Sequence, residues 1–374
     1  MREDATATNK VQSASATLPA IPVIDVGNGG PLRHATHCRA RARALCDDCL
    51  TFLPRAVAPF VPALDRATRH WLTRSCSPYV SEIAQIAATL GIPGIWLLNG
   101  SYQWGCTSLA RDEDGVPWLA RTLDWPFPGL GRHADVVRTQ GPAGEYFGVT
   151  WPGYAGVLTA MAPCRFAACL NQAPMWRRTR HPWLRFYDFA ANALHAWMNV
   201  RHMPPDQLLR QVFESCVTYT AAKGVLENTP VARPVIYTLI GCAPGERCVI
   251  ERTENGFETR EKETSAANDW VPSRPMWEAR IAATHFLTCS SAVAAARCRA
   301  RHDALAGWHG LLSRSCFDWV KPPVLNPYTR LAVTMSAARA KLRVVGYEMK
   351  GAGLPEQVTQ LCEIMPLVSV IRIR

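Results

Sequence analysis

The chain has 374 residues, of which 48% are hydrophobic and 19% charged, a balance that describes a folded globule and excludes a disordered chain. Its net charge of +11 is carried by scattered Arg residues; no basic stretch interleaves stacking aromatics at a module spacing, so nucleic acid is not an expected partner. No stretch of about eighteen apolar residues occurs, so no transmembrane segment is expected. The Ala-, Thr- and Ser-rich start from Met1 to Pro22 lacks a secretory signal's apolar core, which makes the cytoplasm the expected location.

In chain order, residues 1 to about 20 read as a disordered arm, followed by an extended segment from Ile21 to Val26 that a Gly-Gly-Pro turn at Gly29 to Pro31 ends. Pro31 to Leu90 reads as helices; Ile83, Ile86, Ala87 and Leu90 recur at helical spacing, with Gly91 and Pro93 as the stop. A short apolar run, Ile95 to Leu98, leads towards Cys106. Strands are predicted at Cys106 to Ala110 and Val116 to Leu123, joined by a charged turn from Arg111 to Gly115, and again at Glu145 to Trp151, Gly156 to Met161 and Phe166 to Leu170. A helical block from Trp183 to Gly224 carries Leu208, Leu209, Val212, Phe213 and Cys216 on one face, with Pro205 near a first turn. Strands return at Val235 to Ile240, Cys248 to Arg252 and Phe257 to Lys262. Residues 277 to 312 read as helical, and Leu331 to Ser336 with Lys341 to Tyr347 as a hairpin. Strands gathered in runs between helical blocks predict antiparallel sheets covered by helices.

Most of the fourteen cysteines read as reduced, small, buried hydrophobes. Cys46 and Cys49 form a CxxC, but no second pair follows at zinc-ligand spacing. One cysteine stands apart. Gly105-Cys106-Thr107-Ser108 opens a predicted strand whose hairpin partner carries Ala120-Arg121-Thr122-Leu123-Asp124-Trp125. A nearby cation raises the thiolate fraction of a thiol with an ordinary pKa of about 8.5. A Cys beside an Arg on a strand is also an ordinary core arrangement, and on these residues alone both readings stand.

The string CTS, a short charged turn and then ARTLDW resembles the opening of the mature chain in the choloylglycine hydrolase and acid ceramidase-like family of N-terminal nucleophile (Ntn) cysteine hydrolases, which act on linear amide C–N bonds. Further motifs resemble that family in order: Trp151-Pro152-Gly153-Tyr154-Ala155-Gly156-Val157-Leu158-Thr159, Cys169-Leu170-Asn171-Gln172, the CVIER ending at Arg252, Ala266-Ala267-Asn268-Asp269-Trp270, then Arg280 and Pro323-Val324-Leu325-Asn326. The resemblance covers about residues 90 to 348.

It implies an α+β fold, the four-layer αββα sandwich with two antiparallel sheets. Residues 1–105 would be a mostly helical pro-segment that becomes a small subunit, and residues 106–374 the catalytic domain, the two staying associated after cleavage; an oligomer is compatible with this. It further implies that the precursor cuts itself at Gly105–Cys106, so that Cys106 becomes both nucleophile and carrier of its own basic α-amine. That amine, with an ordinary pKa of about 7.7 to 8.0, removes the need for a catalytic His. Asp124 would orient the amine and thiol, Arg121 would support the thiolate and hold Asp124 charged, and Asn268 would donate to the oxyanion. Asn171 would add a second donor or place substrate, Arg280 would brace the site, and Tyr102 would position the scissile peptide. Asn171 and Asn268 as turn caps, and Arg280 as an exposed helix charge, are the alternatives.

Gln172 departs from this pattern, standing where the acid ceramidase branch has Glu. The turn before Arg121 is also about one residue shorter. Trp125, Phe127, Trp151, Tyr154, Trp176 and Trp183 either line a cleft for an apolar acyl group or fill the core. The expected activity is hydrolysis of a small-molecule N-acyl amide through a Cys106 thioester. An acyltransferase of the same fold and a non-catalytic scaffold are the alternatives. No metal or organic cofactor is called for.

Overall fold

Three runs of strands, separated by helical blocks and preceded by one lone strand, fold here as two large sheets. The structure, a computed structural model, describes residues 17–53, 58–101, 105–199, 201–281, 285–286, 288–351 and 353–365. Strand β1 (Val23–Gly27) is followed by helices α1 (Gly30–His37), α2 (Arg39–Phe52), α3 (Val61–Arg74), α4 (Val80–Leu90) and α5 (Ile95–Gly100). Next come β2 (Gly105–Glu113), β3 (Val116–Asp124), β4 (Asp135–Gly141), β5 (Gly144–Thr150), β6 (Thr159–Ala162), β7 (Phe166–Gln172) and the short β8 (Met175–Trp176). Helices α6 (Arg185–Asn199), α7 (Pro205–Ser215) and α8 (Tyr219–Asn228) precede β9 (Val235–Ile240), β10 (Arg247–Arg252), β11 (Phe257–Arg260), β12 (Ser265–Ala266) and β13 (Trp277–Glu278). Helix α9 (Ser291–Ala306) leads to β14 (Thr329–Ser336), β15 (Lys341–Glu348), β16 (Glu356–Gln357) and β17 (Cys362–Ile364).

One sheet runs β1-β4-β5-β6-β7-β9-β10-β11; the other runs β12-β2-β3-β14-β15-β16, with β17 also on β15. All neighbours are antiparallel except β1, which lies parallel to β4. The sheets face each other through β2 and β3 against β7 and β9. Helices α7 and α8 cover the outside of the first sheet, and α9 covers the outside of the second. The order helix, sheet, sheet, helix is the expected αββα sandwich. Among the described residues no helix is long and apolar enough to cross a membrane.

Local chemistry explains most boundaries. Helix α4 buries Ile83, Ile86 and Leu90 and stops at Gly91, whose φ of 62° is left-handed. Helix α7 starts with Pro205 and buries Leu208, Leu209, Val212 and Phe213. The β2–β3 turn is tighter than predicted. Asp114 and Gly115 have φ of 51° and 74°, the two-residue hairpin geometry that Asp-Gly favours, so Arg111 to Glu113 continue the strand.

Among the longer elements, two differ from the expectation; of the shorter ones, β6 begins at Thr159 instead of Gly156, and β8, β12, β16 and β17 had no sequence signal. Strand β4 has only Val136 and Val137 as consecutive apolar residues, too weak a pattern to be read, and its pairing to β1 and β5 makes it a strand. The helix expected over 277–312 is confined to Ser291–Ala306. Trp277 and Glu278 pair with β8 instead, and Glu278 is held between Arg177 and Arg185, at 2.6 and 2.9 Å. The first N-cap arrives at Ser290, whose side chain accepts from the Val293 amide. Near the start, the Pro19 carbonyl accepts from Gln360; residues 1–16 of the predicted arm lie outside the described residues.

Strands β2 and β3 are buried on both faces, and strand parity assigns each residue to a side. Cys106, Ala110, Leu119 and Leu123 belong to the core between the sheets. Leu109, Trp118 and Ala120 join Leu305 of α9 in the outer core. On the other sheet, Phe213 of α7 is fully buried between Tyr146 and Phe166, with ring centroids at 5.5 and 4.9 Å. A Phe213→Ala variant is expected to lose about 3–5 kcal/mol of stability, measured by chemical denaturation; a loss below 1 kcal/mol would contradict this packing.

Candidate active site

The β2–β3 register pairs Cys106 with Leu123, Ser108 with Arg121 and Gly105 with Asp124. Cys106 and Arg121 therefore share the inter-sheet face, and the Arg121 guanidinium sits 2.6 Å from the Cys106 thiol. The rest of that guanidinium is anchored by Thr159 Oγ1 and by the Leu158 and Leu170 carbonyls of the facing sheet. Burial pushes the Cys106 thiol above its ordinary range; Arg121 pulls it down, Asp124 pushes it up, and Arg280 pulls it down.

Asp124 lies three residues beyond Arg121, so the pleat turns it to the opposite face. Among the described residues, Arg121 forms no ion pair with Asp124. The guanidinium there is Arg301 of α9, with Nη1 3.1 Å from Asp124 Oδ2. The expectation that Arg121 holds Asp124 charged is thus corrected by strand parity. Asp124 also accepts from Asn326 Nδ2 at 2.8 Å and Thr329 Oγ1 at 3.0 Å.

Asn268 follows β12, whose pairing with β2 delivers it to the strand end. Its Oδ1 accepts from the Cys106 amide at 2.9 Å, and its Nδ2 donates to the Gln172 carbonyl at 2.8 Å. The Asn268 carbonyl in turn accepts from the Arg280 amide at 3.0 Å. Arg280 Nε donates to Gln172 Oε1 at 3.0 Å, so Gln172 gives the guanidinium a neutral partner. Asn171 is buried and donates to Ser108 Oγ at 3.1 Å and to the Ala266 and Ala267 carbonyls. A Cβ on Gly105 would lie 2.5 Å from Arg280 Nη1 and 3.1 Å from Asp124 Cβ, so this position admits only glycine without displacing the arginine. Tyr102 lies outside the described residues.

The structure thus gathers Cys106, Arg121, Asp124, Asn268, Arg280, Gln172 and Asn171 at one end of the β2–β3 hairpin. It adds Arg301, Asn326 and Thr329. Asn326 was visible in the Pro323–Asn326 motif; Thr329 becomes legible only through the β3–β14 register, where it opposes Asp124. Among the described residues, one group could hold a metal ion: His34, Cys38 and Asp135, with ligand atoms within 4.8 Å of one another. Both Asp135 oxygens already accept, from His34 at 2.9 Å and Arg41 at 2.8 Å.

A cleft of about 380 Å3 is bounded by Gln172 and Arg280 and walled by Met175, Trp176, Phe186, Phe189, Trp277 and Phe286. Of the aromatics marked in the sequence, Trp176 lines it. Trp125, Trp151 and Tyr154 are core residues, Phe127 packs partly buried against that core, and Trp183 is exposed.

No family model matches the chain. It is 28% identical over 186 residues to rabbit (Oryctolagus cuniculus) N-acylethanolamine-hydrolyzing acid amidase, which covers 48% of this chain and 49% of that protein. The mouse (Mus musculus) protein of the same name is 29% identical over 187 residues, 48% of each. A probable acid ceramidase of Caenorhabditis elegans is 25% identical over 219 residues, 52% of each. The chain spans about half the length of the curated relatives it matches. A solved C. elegans N-acylethanolamine-hydrolyzing acid amidase ortholog superposes with a TM-score of 0.42 at 19% identity, covering 62% of this chain and 93% of its own.

The Arg121 contact makes the thiol's ionisation the measurable property of this arrangement. In Arg121→Gln the Cys106 ionisation step, read as 240 nm absorbance against a Cys106→Ala reference, is expected to move up by about one pH unit. An unmoved step would show that the cation does not support the thiolate.

Proposed function

We propose that this chain, a member of the choloylglycine hydrolase and acid ceramidase-like family of Ntn hydrolases, cuts itself at Gly105–Cys106 and then hydrolyses a linear N-acyl amide. The observation that carries this reading is the Cys106 thiol against Arg121, at a strand end where Gly105 precedes it and Asn268 holds its backbone nitrogen.

In the first reaction, Cys106 Sγ attacks the Gly105 carbonyl and the Gly105–Cys106 C–N bond breaks. The thiol proton ends on the nitrogen, which becomes the α-amine. Water then hydrolyses the thioester to a Gly105 carboxylate and a free thiol. In turnover the α-amine takes the thiol proton while Sγ attacks the amide carbonyl, and returns it to the departing amine. Water releases the acid from the acyl-enzyme. Asn268 Nδ2, kept on the Gln172 side by the two contacts of its Oδ1, carries two N–H groups and would direct one of them to the oxyanion. Arg121 steadies the thiolate, and Asp124 holds the amine end of the residue.

The relatives named above are acid amidases, several named for N-acylethanolamines, and a probable ceramidase. For this chain the aromatic cleft beside Arg280 supports an apolar acyl half. Gln172 supplies no negative charge for the departing group, so we assign the substrate as a long-chain N-acyl amide without a required cationic amine.

Intact-mass spectrometry of the purified full chain is expected to show two fragments, the larger beginning at Cys106, and a single uncut chain for Cys106→Ala. A Cys106→Ala protein cut at the same bond would falsify the mechanism. With long-chain N-acyl arylamides the product is expected to be the free acid even with added amines; transfer to the amine would instead indicate an acyltransferase. Phe286→Ala is expected to raise KM about tenfold for long acyl chains and leave short ones unchanged, checked by a chain-length series.

A further inference from the structure

We propose that Arg301, on the outer side of the hairpin, is a positioning residue that sets the orientation of Asn268 and Asp124 around Cys106. This rests on the reading given under Proposed function and adds a residue that neither the motifs nor the strand pattern mark.

Helix α9 carries Arg297, Arg299 and Arg301. The first two are exposed; Arg301 is buried. Its Nη1 donates to the Cys106 carbonyl at 3.1 Å, Thr107 Oγ1 at 3.2 Å and Asp124 Oδ2 at 3.1 Å. Its Nη2 donates to Asn268 Oδ1 at 3.1 Å and meets Cys298 Sγ at 3.3 Å. One planar fork therefore ties the nucleophile's own peptide, the carboxylate and the amide in a single geometry.

A guanidinium has donors and no acceptor. The atom of Asn268 that meets it must therefore be Oδ1, because the reversed amide would set NH2 against NH2. That same oxygen accepts from the Cys106 nitrogen, so Arg301 determines that the nitrogen meets an acceptor and that Nδ2 points towards Gln172. A buried cation is costly unless paired, and here its pairing is spent on the site's own groups.

Electrostatics supplies a readout that packing would not. After cleavage the α-amine occupies the position of the Cys106 nitrogen, one oxygen away from Arg301. Among the described residues, the charged and titratable groups around it are Arg121 and Asp124 from β3, Arg280, Cys169 from β7, and Arg301 and Cys298 from α9. A neighbouring cation disfavours the ammonium form, which keeps the amine available as a base at lower pH. Removing Arg301 takes away a cation and frees Asp124 from its ion pair, so the amine's pKa rises.

The test uses the full-length chain in four forms: wild type, Arg301→Gln, Arg301→Lys and the exposed control Arg297→Gln. Self-cleavage is followed by intact mass, and kcat/KM against pH is measured on the cleaved fraction with a fluorogenic long-chain N-acyl arylamide. Arg301→Gln is expected to slow cleavage about a hundredfold and to move the acidic limb of kcat/KM up by about one pH unit. Arg301→Lys is expected to slow cleavage about tenfold while keeping the limb in place, and Arg297→Gln to match wild type. The inference is overturned if Arg301→Gln cuts at the wild-type rate, or if both Arg301 variants lose rate and thermal stability together with no change in the limb in either. A wild-type chain that never cuts is a separate outcome that removes the underlying reading and this inference with it.

Discussion

The pleat of one hairpin, buried on both faces, is the constraint on which the rest of the site depends. Because successive side chains in a strand point to opposite sides, Cys106 and Arg121 look into the space between the sheets, while Thr107 and Asp124 look towards α9. No single face holds the site. What joins the two halves is the backbone of Cys106 itself, with its nitrogen on Asn268 and its carbonyl on Arg301. A fold that covered only one side of this hairpin would supply one half of the chemistry. The two covering layers of an αββα sandwich supply both.

Charge follows from that arrangement. Three guanidiniums, Arg121, Arg280 and Arg301, converge on a buried thiol and one carboxylate, Asp124. Burial dominates at Cys169 in the same core, whose thiol is pushed up to about 12 although Arg121 pulls it down. Cys106 differs in accepting the Arg121 hydrogen bond and in having Arg280 beside it as well, and ionising it lowers the excess positive charge of the cluster. Gln172 fits this logic, since it accepts from Arg280 without adding a charge. Glu278 does the equivalent work farther out: clamped by Arg177 and Arg185, it fixes β13 two residues before Arg280.

Much of this was legible from residues alone, for identifiable reasons. Strong alternation and tight turns announced β2, β3, β9, β10 and the β14–β15 hairpin, and the ordered motifs named Cys106, Arg121, Asp124, Asn268 and Arg280 as a group. The misreadings fall where local signals are weak or overridden. β4 has too few apolar residues to announce itself and exists because two strands flank it. Residues 277–290 have an acceptable helical composition but surrender Trp277 and Glu278 to a strand pair and an ion cluster. Arg301 sits among arginines of identical local context, and only its burial against β2 sets it apart.

The sequence by itself determined the strand–turn–strand that carries the cysteine, the glycine before it, and the order of polar residues that accompany it, because these depend on spacing along the chain. The tertiary structure decided which guanidinium meets which acid, which way Asn268 faces, and which aromatics line the cleft while others fill the core. Those outcomes depend on which face of a strand is covered by which layer, and that is fixed only when residues some two hundred positions apart, such as Asp124 and Arg301 or Asp124 and Asn326, are packed together.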